Sequence, residues 1–282
     1  MESFILNPTN TFFSLKDNFP ALKDGKNIGI FLSGGVESSL LTFLAFKIYG
    51  KDRVICFSSD NIFSGNDPVR NKFIDTNIRK AEKTLNISLV YLDFNYDLFL
   101  NDRKKFMEDE FQKISKKYDI EFLLMGLTEL FFEVEIFKQS SMTEDKIKEI
   151  AYSNPKKFRS TIDEFHLDTN EYTWELLNID IPAEVYQLLR TNSSFIKNPF
   201  KILNKCEILD LYRQVDALDI LYKTTSCITE SITNTGKHCG ECFNCQNRHD
   251  AFMILGNLED LTEYVSDKVF DRWNRLELNR KR

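Results

Sequence analysis

Ser33-Gly34-Gly35-Val36-Glu37-Ser38-Ser39 decides the fold, because it stands where an apolar strand turns into a helix. The preceding run 27–32, Asn-Ile-Gly-Ile-Phe-Leu, reads as a short buried strand, and 40–46 continues as an apolar-rich helix. Two glycines remove the Cβ atoms that would hold a triphosphate away from the backbone. The helix start offers unpaired N–H groups and the positive end of the dipole, so an anion is stabilised there without a long basic side chain. Ser33, Ser38 and Ser39 add hydroxyl donors on both sides. The bland alternative is a tight connection between strand and helix, for which two glycines alone would suffice.

Two other phosphate motifs fit poorly. No Gly-Lys-Ser or Gly-Lys-Thr follows the glycines, which argues against a Walker loop, and the dinucleotide fingerprint is missing as well. The run resembles the Ser-Gly-Gly-x-Asp-Ser signature of the PP-loop ATP pyrophosphatases, which cleave ATP between the α and β phosphates and adenylate an oxygen of their substrate. Glu37 stands where that signature has Asp.

The chain has 282 residues, 42% of them hydrophobic, enough for one substantial core with a small appendage. With 37 Lys and Arg against 43 Asp and Glu, the net charge of -6 provides no broad field for a polyanion, so bulk nucleic acid is not the expected partner. No stretch reaches the roughly 20 apolar residues that a membrane span needs, and the opening Met-Glu-Ser-Phe lacks a basic region followed by an apolar one. The expectation is a soluble, cytoplasmic protein.

Beyond the loop, 53–57 and 87–92 read as strands, 71–85 and 99–117 as helices, and 120–125 as a fourth strand that Gly126 stops. Alternating strands and helices imply right-handed crossovers and a mainly parallel sheet covered on both faces, an α/β fold. Ligands in such sheets lie beyond the carboxyl ends of the strands. Ser33, Ser58 and Gly126, with Thr128 and Glu129, fall at that edge. The expected organisation is an N-terminal extension (1–26), a nucleotide-binding core (27–137), a helical insertion (138–197) that is either inert or a substrate lid, and a C-terminal helical part with a metal site (198–282).

Asn204 with Glu207 three residues on forms a capping box before the apolar run Ile208, Leu209, Leu211 and Tyr212. Lys205 then occupies the first turn, where the dipole disfavours a cation, which hints at an anionic partner; a solvated surface lysine is the alternative. Cys227 is followed by eleven residues, then Cys239, Cys242 and Cys245 at intervals of three. Four thiolates at such spacing suit a closed tetrahedral zinc site that staples the C-terminal segment to the core. An iron–sulfur cluster is the rival, but the ferredoxin run requires a fourth cysteine where His249 stands. Arg248, three residues past Cys245, points either toward an anionic substrate or into an ordinary surface pair.

The glycine-serine loop, the Pro-x-x-x-Leu-x-Lys-x-Glu pattern from Pro199 to Glu207 and the Cys-x11-Cys-x2-Cys-x2-Cys-x2-Arg ending at Arg248 follow in this order. Together they resemble QueC, the 7-cyano-7-deazaguanine synthase family, over residues 27 to about 256. The resemblance implies a PP-loop α/β fold with a zinc-bearing C-terminal part and an AMP-forming carbon–nitrogen ligase. Its substrate would be a 7-deazaguanine carboxylate, with ammonia or another amine, including one on a protein, as acceptor. Ser33, Gly34, Gly35, Val36, Ser38, Ser39, Ser58, Gly126 and Lys205 would hold ATP, and Glu37 would hold Mg²⁺ directly or through water. Glu37 and Lys205 would be the catalytic pair, and Cys227, Cys239, Cys242 and Cys245 would bind Zn²⁺. A homodimer is compatible with this reading.

Two family elements are replaced here. Ser58-Ser59-Asp60-Asn61-Ile62-Phe63 stands in place of a Gln-Arg-His element, with Arg70 the nearest cation, and Leu127-Thr128-Glu129-Leu130 in place of a Tyr-Pro-Asp-Cys-Arg stretch. Two further readings stay open: a PP-loop tRNA-modifying enzyme of the thiolation type, and a nucleotide-binding subunit in which Glu37 marks lost catalysis.

Overall fold

A computed structural model of the chain describes residues 2–7, 10–58, 68–92, 103–128, 195–227 and 234–270. The expected helical insertion, Glu129, and Ser59 to Phe63 lie outside these residues, apart from 195–197.

The chain opens with a hairpin, β1 (Ser3–Leu6) and β2 (Thr11–Ser14), and a short helix α1 (Leu15–Asn18). Next come β3 (Asn27–Phe31), α2 (Val36–Tyr49), a single 3₁₀ turn, β4 (Val54–Ser58), α3 (Pro68–Leu85), β5 (Leu89–Tyr91), α4 (Arg103–Tyr118) and β6 (Ile120–Leu124). After the undescribed stretch follow β7 (Ile196–Lys197), α5 (Lys205–Gln214), α6 (Leu218–Leu221) and α7 (Phe243–Leu255).

Five strands form one sheet in the order β5-β4-β3-β6-β7, with every neighbouring pair parallel. The register sets Ile28 opposite Val54 on one side and Phe122 on the other, so β3 is the central strand. The sequence builds outward from β3 to β5 and then crosses to β6 on the opposite side. That reversal opens a crevice beyond the carboxyl ends of β3 and β6, where doubly wound sheets take their ligands.

Helices cover both faces, as the alternating pattern requires. On one face Ile28, Ile30, Leu40, Leu41 and Leu44 pack with Ala81 and Leu85 of α3 and with Ile208, Leu209, Leu211 and Tyr212 of α5. On the other, Phe57, Leu123 and Met125 pack with Phe111 and Ile114 of α4 and with Ile196 of β7. The first face is continuous with the N-terminal stretch, since Leu6 and Phe13 of the hairpin are fully buried in the same cluster.

Polar contacts hold that hairpin to α5. The Asn7 N–H donates to Asp210 Oδ2 at 2.9 Å, the Gln214 amide donates to the Ile5 carbonyl at 2.8 Å, and the Thr11 hydroxyl bonds Glu207. Asp210 is fully buried and takes its compensating charge from Arg213, whose Nη2 lies 2.7 Å away. Among the described residues no helix is long and apolar enough to cross a membrane.

Candidate phosphate loop and four-cysteine site

The loop begins where β3 ends. Gly34 has φ +77°, a left-handed conformation, and a Cβ there would stand 2.5 Å from the Asn77 carbonyl oxygen of α3. Only glycine allows α3 to press this closely on the turn. Gly35 is the N-cap of α2 and supplies no side-chain cap, so the first N–H groups of the helix receive no hydrogen bond from a capping side chain. The serines organise the turn instead: Ser38 Oγ accepts from the Ser33 N–H at 3.2 Å and lies 3.1 Å from Ser33 Oγ. The result is a turn with helix-terminal donors directed at the crevice, a geometry suited to an anion.

Glu37 and Lys205 meet in the first turn of α2. Their Oε1 and Nζ atoms are 2.6 Å apart, with side chains 17% and 10% exposed. Lys205 is therefore an enclosed ion-pair partner, and the alternative of a solvated surface lysine is corrected. The capping box read at Asn204 forms in full, with the Glu207 N–H donating to Asn204 Oδ1 at 3.0 Å and Glu207 Oε2 accepting from the Asn204 N–H at 2.8 Å. It fixes where α5 starts, and hence where Lys205 stands.

Two helical turns further along α5, the fully buried Tyr212 donates its hydroxyl to the Val36 carbonyl at 2.8 Å. Burial and the neighbouring Glu37 carboxylate push the phenol well above its ordinary pKa, so it stays a neutral donor. Lys205 and Tyr212, seven residues apart, thus hold α2 at its first two positions. Tyr212 carries no local signal of this role, because its partner is 176 residues away.

β6 supplies the opposite wall. Gly126 lies directly against the Glu37 backbone, where a Cβ would meet the carbonyl carbon and oxygen at 3.1 Å. Thr128 is buried and donates to Glu37 Oε1 at 3.4 Å. Ser58 is buried at the end of β4, and its carbonyl accepts from the Leu92 N–H at 2.9 Å. Ser33 through Ser39, Gly126 and Lys205 are brought together around the α2 start. For Ser58 the described contacts run toward β5.

The cysteines converge. One sulfur from each of Cys227, Cys239, Cys242 and Cys245 lies within 4.8 Å of every other. Cys239 and Cys245 are 3.8 Å apart, and Cys242 and Cys245 3.4 Å. A tetrahedron of Zn–S bonds of about 2.3 Å has edges of about 3.8 Å, so the set matches one tetrahedral ion. An iron–sulfur cluster spreads its thiolates over several irons and calls for a wider set.

Backbone donors already face the sulfurs: the Cys239 N–H points at Cys227 Sγ (3.3 Å), and the Glu241 and Cys242 N–H groups at Cys239 Sγ (3.4 and 3.2 Å). Such donors stabilise thiolates, which is the form a metal takes. Hydrogen bonds with Cys227 and Cys242, then burial, push the Cys245 thiol up; a divalent cation reverses that balance.

The two sites touch. The Thr225 N–H donates to the Gly34 carbonyl at 3.0 Å, and the Asn77 amide donates to the Cys227 carbonyl at 3.4 Å. Arg248 is 1% exposed, so it makes no surface pair. His249 Nδ1 lies 2.9 Å from Asp260 Oδ2, which also accepts from the Tyr264 hydroxyl, so His249 ties down the C-terminal loop without joining the sulfurs.

These features define the class: a parallel α/β protein with a glycine-serine turn suited to an anion at its switch point and a four-cysteine segment behind it. Residues 178–256 match the family model described as Queuosine biosynthesis protein QueC, a span that contains Lys205, all four cysteines and Arg248. The match is confined to that segment, where it coincides with the Lys205 and cysteine motifs read from the sequence. A solved structure, the U34-tRNA thiolase NcsA from Methanococcus maripaludis with its 4Fe-4S cluster, is similar over 93% of this chain and 85% of that one, at 12% sequence identity and a TM-score of 0.36.

Proposed function

We propose that this chain is an ATP-dependent ligase that adenylates the carboxylate of a 7-deazaguanine and condenses it with ammonia, releasing AMP and pyrophosphate. One observation carries the reading: the QueC match spans Lys205 and the four cysteines, and the fold brings that segment onto the Ser33–Ser39 turn through Lys205–Glu37 and Thr225–Gly34.

In the first step a substrate carboxylate oxygen attacks the α-phosphorus of ATP, and the bond to the β-phosphate oxygen breaks. The charge growing on the departing pyrophosphate would meet the α2 N–H groups and the Lys205 ammonium, which its ion pair with Glu37 holds beside the start of α2. Ammonia then attacks the acyl carbon, AMP leaves, and a proton is lost, giving the amide. A second ATP is attacked at its α-phosphorus by the amide oxygen, pyrophosphate leaves, and loss of AMP, which carries that oxygen away, with both amide protons gives the nitrile.

Glu37, in the first turn of α2, would hold Mg²⁺, which when bound would supply further neutralisation of the phosphates. Its extra methylene relative to Asp moves that carboxylate by about 1.5 Å. Cys227, Cys239, Cys242 and Cys245 would hold Zn²⁺, whose closed coordination supplies structure rather than a reactive position.

The test is incubation with ATP, Mg²⁺, 7-carboxy-7-deazaguanine and ammonium. AMP and pyrophosphate formed in step with amide or nitrile support the reading; ADP and phosphate, or turnover indifferent to the carboxylate, reject it. AMP release that depends on tRNA instead would favour the thiolation-type reading. ATP binding with no AMP formed would favour the impaired subunit, and Glu37→Asp would then restore turnover.

A further inference from the structure

Arg248 is among the largest fully buried side chains of the protein, and the phosphate-loop reading assigns it no task. It stands on α7 one turn after Cys245, while Cys242 is the N-cap of that helix. Its guanidinium is spent on neutral acceptors. Nε donates to Thr262 Oγ1 at 2.8 Å, Nη1 to Thr224 Oγ1 at 2.8 Å and to Ser226 Oγ at 3.5 Å, and Nη2 to the Leu221 carbonyl at 3.2 Å. The nearby Asp260 carboxylate and the Phe252 ring, 5.6 Å away, offset part of the cost of burying this charge, yet a merely space-filling role would be served by an apolar side chain.

What the planar fork achieves is placement. Thr224 and Ser226 flank Thr225, whose N–H carries the Gly34 carbonyl, and Cys227 follows directly. A lysine offers a point charge and cannot span acceptors on residues 221, 224, 226 and 262 together.

We infer that Arg248 is a positioning residue that transmits the geometry of the four-cysteine segment to the phosphate loop, so that its guanidinium sets the affinity for ATP. Cys242 and Cys245 stand at the start of α7; the helix carries their orientation to Arg248; the guanidinium sets 224–226; and Thr225 sets Gly34. Asn77 reinforces the same junction, with its amide on the Cys227 carbonyl and its backbone against Gly34. The inference rests on the reading of the loop as an ATP site, and the experiment separates the two.

Arg248→Gln, Arg248→Lys and Thr224→Val are purified with metal content measured, and amide hydrogen exchange is followed without nucleotide. Thr224→Val removes an acceptor without touching α7, so the test survives if loss of the guanidinium unfolds the segment. With one metal retained per chain, exchange at residues 33–39 and at Thr225 rises about tenfold or more in each variant, the loss expected from one or two charge-assisted hydrogen bonds. Exchange in β4 and β6 stays at the wild-type rate. The dissociation constant for a non-hydrolysable ATP analogue rises in parallel, with the lysine variant between wild type and glutamine.

Unchanged exchange at 33–39 in the metal-loaded variants overturns the inference, as does a uniform rise across the sheet, which would mark a general stabiliser. If the wild type binds no ATP analogue, the ATP reading falls, while the exchange measurement still decides the coupling.

Discussion

The Ser33–Ser39 turn and the four-cysteine segment are both cradles for an ion, yet they are built on opposite terms. The turn is organised by hydroxyl contacts of 3.1 to 3.4 Å and leaves a helix start without a side-chain cap. The cysteine segment draws four sulfurs within 4.8 Å of one another and aims backbone donors at them. The first suits a ligand that arrives and leaves; the second suits an ion held by four sulfurs at once. The two segments meet at the Thr225–Gly34 and Asn77–Cys227 hydrogen bonds.

The harshest way to break this contrast is at the four-cysteine site. Cys245→Ser removes a buried thiolate, and structural zinc sites are worth about 10–16 kcal/mol in isolated fingers, so residues 234–270 should lose their protection. Metal analysis with limited proteolysis checks this, and retention of the ion with unchanged melting would refute it.

Next comes the enclosed ion pair. Lys205→Met strands the Glu37 carboxylate and should cost about 3–5 kcal/mol by chemical denaturation, much of it recovered in Lys205→Met with Glu37→Gln. A loss no greater in the single than in the double variant would show that the two groups are independent.

Gly34→Ala forces a Cβ toward the Asn77 carbonyl at a positive φ and should cost about 2–3 kcal/mol. Here the expected signature is loss of nucleotide binding by calorimetry with metal content intact, which sharpens the division between the sites. Tyr212→Phe leaves the buried Val36 carbonyl without its donor, for a cost of about 1–2 kcal/mol, read as a lower melting temperature.

The smallest effect is one of pH. Burial, aided by the charge of Arg248, lowers His238 to about 4. The unfolded chain takes up that proton near 6.5 and the folded one does not, so this stability is complete above 6.5 and is lost as pH falls toward 4. At pH 6 the loss is under about 1 kcal/mol, and His238→Asn should flatten the slope relative to wild type.

Local pattern carried far in this chain. β3, its glycine turn and α2 were readable because the apolar run, the breakers and the helix follow one another directly, and the capping box at Asn204 and the cysteine spacing are equally local. β7 was not readable, since two residues hold no periodicity and Ile196 becomes a strand only through β6. The hairpin from Ser3 to Ser14 escaped for a similar reason: its polar partners Glu207, Asp210 and Gln214 lie about 200 residues away.

Glu37 and Lys205 were each legible as ligands for something charged, but not as partners of each other. That pairing depends on how α5 lies across α2. Arg248 shows the limit most clearly, because a residue beside a cysteine motif reads the same whether it faces solvent or fills the interior.

The contact between Tyr212 and Val36 also bears on synthesis. A nascent chain that has emerged to residue 128 contains the whole glycine-serine run and four strands of the sheet, yet lacks Lys205, Tyr212 and Thr225. At about 5–20 residues per second, the ribosome needs roughly 5 to 20 seconds to supply them. Through that interval the turn exists without the contacts that shape it, so nucleotide should be captured only by chains that have emerged past Thr225.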